Sequence, residues 1–183
     1  MARPIAKYAL IALLLVAATC AQAQHHRRHP PRTAEPAAPP ATVDKRDSIV
    51  AAPGVFNGRP YWLALAECGG IYFKLNVLYT DAAVHARVVK PDPHANAEYT
   101  KKLNEAISIA TAYFNASGTF LRTDRGLGRD DAILTYDPQS RAAGDREKTI
   151  EAALAAAKAC PALYQSCQAA YPKTCGATLA PMG

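Results

Sequence analysis

The chain has 183 residues, half of them hydrophobic and a fifth charged, with a formal net charge of +6 at pH 7. Divided along the chain, that excess is +2 on residues 1–23, +2 on 24–48 and +2 on 49–183. The part long enough to build a core is therefore nearly neutral and lacks the basic face that a phosphate backbone requires, which argues against nucleic acid as a partner.

The first twenty-three residues carry Arg3 and Lys7, an uncharged run from Tyr8 to Thr19, and the small-residue site Ala21-Gln22-Ala23. That order reads as a secretory signal peptide, and the apolar run is short for a membrane span. The reading predicts a periplasmic or secreted protein beginning at Gln24. A competing reading makes Cys20 the acylated first residue of a lipoprotein; against it, Ala17 stands where a leucine is expected and Thr19 precedes the cysteine. Residues 24–54, rich in proline, alanine and charge, predict a disordered basic leader, because they hold too few large apolar side chains to offset the entropy of ordering. Residues 55–176 then form one helical domain, followed by a flexible tail, 177–183.

The domain opens with Pro60–Tyr79, where Leu65, Cys68, Tyr72, Leu75 and Tyr79 recur at helical steps, as do Leu63, Ala66, Gly70, Phe73 and Val77. This predicts a helix buried on most sides, at the centre of a bundle. The alternative is an α+β fold with a short hairpin near 71–89, since Ile71, Phe73, Leu75 and Val77 also alternate with polar residues. Asp81 is expected to cap a short helix that runs through Val89 and stops before Pro91. A long helix follows, with Asp92 as cap and Pro93 in its first turn, ending at Gly118, and residues 119–129 form a connector.

A short helix or strand over Asp131–Tyr136 comes next, with a restart at Asp137-Pro138. Asp145 is expected to cap a helix that reaches Cys160, and Pro161 opens a further turn that ends before Pro172. The fold class is thus all-α: an antiparallel bundle of about four main helices, stapled by two disulfides.

With Cys20 in the leader, the even set Cys68, Cys160, Cys167 and Cys175 in an exported chain reads as two disulfides. Cys160 and Cys167 are too far apart along a helix to bond to each other. One of them reaches Cys68, with Cys68–Cys160 preferred over Cys68–Cys167, and the other pairs with Cys175. The adjacent Gly69 and Gly70 are expected to form a contact notch that lets the crosslinked helices approach.

Candidate chemistry is sparse. Cleavage after Ala23 would place His25 and His26 behind a free amine, with His29 close by, an arrangement suited to copper(II) or nickel(II). Within the domain, His94 and Glu98 stand four apart on a helix, and Asp130 and Asp131 are neighbours that do not face each other. His85 is the other histidine, and neither a zinc-ligand spacing nor a nucleophile or nucleotide-loop motif is present. The nine tyrosines suit either a bundle interior with hydroxyls at its rim or an interface. The expected function is an exported, non-catalytic helical protein binding a protein or cell-envelope partner. The alternatives are a copper- or nickel-handling protein using its histidine-rich terminus and an enzyme with a cleft that composition does not reveal.

Overall fold

The computed structural model describes residues 37–51 and 54–176. The described residues form five α-helices: α1 (Tyr61–Val84), α2 (Pro93–Arg125), α3 (Arg129–Arg146), α4 (Ile150–Ala157) and α5 (Cys160–Ala170). A π-helical turn, His85–Val89, continues α1, and α4 and α5 are one arm broken at Lys158–Ala159. The architecture is an all-α bundle of four main helices.

The central place of α1 follows from its composition. From Tyr61 to Tyr72 every residue except Glu67 is buried, and Leu75, Tyr79 and Ala83 extend the buried side upward. Such a segment needs neighbours on most sides. The hairpin alternative over 71–89 does not hold: among the described residues the only β-type pairing is the isolated bridge between Ile49 and Pro60. Asp81 does not cap a second helix either, since the helix passes through it and ends in the π turn, where the Lys90 N–H donates to the His85 carbonyl.

Helix α2 begins as its sequence implies, with the Asp92 carboxylate accepting the Ala95 N–H and Pro93 in the first turn. It does not stop at Gly118. Beyond that glycine lie Phe120 and Leu121, both buried, and burying each stabilises the fold by roughly 1.5–3 kcal/mol against about 1 kcal/mol for one helical glycine. The true stop is Gly126, whose φ of +70° is the left-handed conformation of a helix end.

The expected break at Asp137-Pro138 is likewise absent, and α3 carries Pro138 in its interior. Pro138 offers no N–H to the carbonyl four residues before it, and that residue is the exposed Leu134, so the loss falls at the surface. Because α3 runs on to Arg146, Asp145 lies inside it and caps nothing. The cap of α4 is Thr149, whose hydroxyl accepts the Ala152 N–H.

Both crosslinks join the cysteines expected to pair. Cys68–Cys160 ties the middle of α1 to the start of α5 with Cα atoms 5.7 Å apart, and Cys167–Cys175 ties the end of α5 to the chain beyond it. Gly69 and Gly70 form a notch, but its occupants are not the crosslinked arm. A Cβ on Gly69 would lie 2.5 Å from the Phe114 ring of α2, and a Cβ on Gly70 would overlap the Ser140 carbonyl of α3. The disulfide and the notch therefore serve different sides of one helix.

Candidate functional site

The segment before α1 departs from the disordered leader expected over 24–54, at least over its described part. Residues 48–50 pair with the turn entering α1: the Val50 N–H donates to Arg59 O and the Tyr61 N–H to Ser48 O. At its centre Asp47, whose side chain is fully buried, receives both arms of Arg125, the last residue of α2, at 2.8 and 2.7 Å. Arg125 also donates to Thr42 O, and its guanidinium lies 5.0 Å from the centre of the Trp62 ring. The neighbouring Asp124 accepts the Ser48 N–H.

Burial pushes the Asp47 carboxyl up, but the Arg125 hydrogen bonds and charge, with the bond from the Asp44 N–H, together hold the carboxyl below its ordinary value. The Trp62 indole N–H makes no hydrogen bond of good geometry, yet it faces Asp47 and helps hold the carboxyl down. Arg125 at a helix C-terminus is also favoured by the helix dipole. The sequence signal for this strap was Ser48-Ile49-Val50, an apolar β-branched pair after a charged turn. Prolines and alanines surround this pair on both sides and mask it.

The tyrosines form the interior rather than only its rim. Tyr72 stacks on Tyr113, Tyr164 meets Tyr113 edge-on, and Tyr61 stacks on Phe120. The Tyr61 hydroxyl bonds Ser166, whereas the Tyr113 hydroxyl is buried without a partner, and burial holds its pKa far above the ordinary value.

Other candidate residues fall apart in space or lie outside the described part. Cys20, His25, His26 and His29 lie outside the described residues, so the copper or nickel reading meets no geometry here. Glu98 pairs with Lys102 at 2.7 Å rather than with His94. Asp130 and Asp131 are exposed in the first turn of α3, and His85 is exposed in the π turn. Among the described residues no three histidines, cysteines or carboxylates gather where they could hold a metal ion. Among the same residues no helix is long and apolar enough to cross a membrane.

What the structure brings together is an open apolar face on the central helix. Phe73, Val77, Val84 and Val88 are 47%, 37%, 44% and 65% exposed, and their spacing aligns them on one side of α1 and its π turn. Sequence periodicity placed Phe73 and Val77 in the buried set. α3 meets α1 through Gly144, which packs on Gly70 and on the Lys74 stem, and α3 ends two residues later. Lys74, Asp81, Arg87 and Lys90 flank the stripe in sequence. None of these four takes part in an ion pair among the described residues, where the pairs are Asp44–Arg46, Arg59–Glu67, Lys101–Glu105, Glu98–Lys102, Asp47–Arg125 and Asp137–Arg141.

No family model matches the chain, and comparison with curated proteins and with solved structures finds no match.

Proposed function

We propose that this is an exported, non-catalytic helical protein that binds a protein or cell-envelope partner through the open face of α1. The observation that carries the reading is the row Phe73, Val77, Val84 and Val88, left uncovered on a helix that is otherwise the most buried element of the fold. An aligned apolar row is costly to leave in water and marks an interaction surface more often than scattered apolar residues do. Export is supported by the signal-peptide pattern of residues 1–23 and by the two disulfides, which persist in oxidising compartments.

Site-specific photo-crosslinking in an exporting host tests this. A photoreactive side chain at position 84 is expected to give one defined adduct in the exported fraction, absent when the probe stands at the exposed position 101 on α2. Equal labelling from both positions, or none from position 84, would refute the reading.

A further inference from the structure

We infer that the α1 face receives an amphipathic helix of another protein whose apolar ridge is flanked by acidic residues at its two ends. This rests on the partner-binding reading above and names the chemistry of that partner. The row from Phe73 to Val88 spans sixteen residues, about 22 Å, which matches a helix of about four turns. Phe73, Val77 and Val84 are only about half open, so each keeps part of its side chain against the bundle and offers the rest outward. A row of this kind packs against a helix ridge with side chains at i, i+4, i+7 and i+11.

Charge supplies the second half of the argument. Lys74 stands at the lower end of the row and Arg87 and Lys90 at its upper end, and none has an ion-pair partner among the described residues. Asp81 stands between them. The pattern is cation, carboxylate, cation, complemented by a helix that is acidic at both ends and not acidic in its middle. The same pattern disfavours two other occupants. A second copy paired antiparallel about the middle of the row would bring two Asp81 carboxylates together. An anionic bilayer would meet the Asp81 carboxylate at the centre of its contact.

The test uses the full exported chain with both disulfides formed and a fluorescein-labelled helical peptide of about four turns. The peptide carries leucine at i, i+4, i+7 and i+11, glutamate beside each end of that row and serine at its centre. Fluorescence anisotropy is expected to show saturable binding, weakened at least about tenfold when the peptide glutamates are replaced by lysine. Val84→Glu should abolish binding. The double variant Lys74→Glu, Arg87→Glu leaves the apolar row intact and should reverse the preference towards the lysine peptide, with circular dichroism confirming the fold in each case.

Binding indifferent to peptide charge, or no binding by the wild-type chain, would overturn the inference. So would binding to phosphatidylglycerol vesicles that Val84→Glu abolishes while the peptide stays unbound, or dimerisation of the chain that the same substitution abolishes. A defined protein adduct from position 84 together with a failed peptide titration would overturn the acidic-helix chemistry and leave partner binding standing. Failure of both would remove the broader reading as well.

Discussion

Glycines that look alike in the sequence are separated by what a single methyl group would meet. A Cβ on Gly70 would run into the backbone carbonyl of Ser140, and backbone in a packed helix cannot move aside as a side-chain tip can. Gly70→Ala is therefore expected to cost about 3 kcal/mol or more, read as a lowered thermal midpoint. At Gly118 the nearest atom is a Tyr136 ring carbon at an ordinary 3.5 Å, so Gly118→Ala should be neutral or stabilise by up to about 1 kcal/mol. The Asp47–Arg125 pair has a pH signature of definite sign. A carboxyl held below its ordinary 3.8 contributes stability that is fully present above that value and lost as pH falls through the lower folded value. Asp47→Asn should cost about 2–4 kcal/mol at pH 7, because it leaves Arg125 without its counter-charge. The stability gap between wild type and variant should close below about pH 4. Trp62, the single tryptophan of the chain, lies against Arg125, so its fluorescence reports this site directly. A gap that stayed constant down to pH 2 would show that the pair does not titrate with unfolding.

At the level of elements, local capping signals mark some helix boundaries and miss others. Asp92 and Pro93 set the start of α2 because a cap needs only the residues beside it. Gly118, Asp137-Pro138 and Asp145 were equally plausible local punctuation, yet all three lie inside helices. At the first two, burial further along the same helix outweighs the local cost: Phe120 and Leu121 beyond Gly118, and Ser140, Ala143 and Gly144 beyond Pro138. The shift of the α4 cap from Asp145 to Thr149 is testable by substitution. Thr149→Ala should lose about 1 kcal/mol of stability in denaturant unfolding, and Asp145→Ala should lose almost none. The reverse order would mean that α3 ends earlier and that Asp145 is the working cap.

Across the whole molecule the two disulfides do unequal work. Cys68–Cys160 closes a separation of 92 residues and Cys167–Cys175 one of 8. On the chain-entropy account the first is worth about 4–5 kcal/mol and the second about 2.5 kcal/mol. Replacing Cys68 and Cys160 together by serine should therefore lower the unfolding midpoint clearly more than replacing Cys167 and Cys175, in urea titrations under oxidising conditions. The sequence by itself determined the helical class, the central burial of α1, the four paired cysteines and the cap of α2, because periodicity, cysteine number and capping are written in neighbouring residues. Only the tertiary structure decided which residues enter the Gly70 notch, that Asp47 reaches Arg125 across 78 positions, and that Phe73, Val77, Val84 and Val88 stay open. Each depends on a part of the chain remote in sequence, as the Gly70 notch does on Ser140 and the Asp47 pair on the end of α2. A helical stripe shows that a face is apolar, but what covers it is set by the length and direction of a different segment of chain.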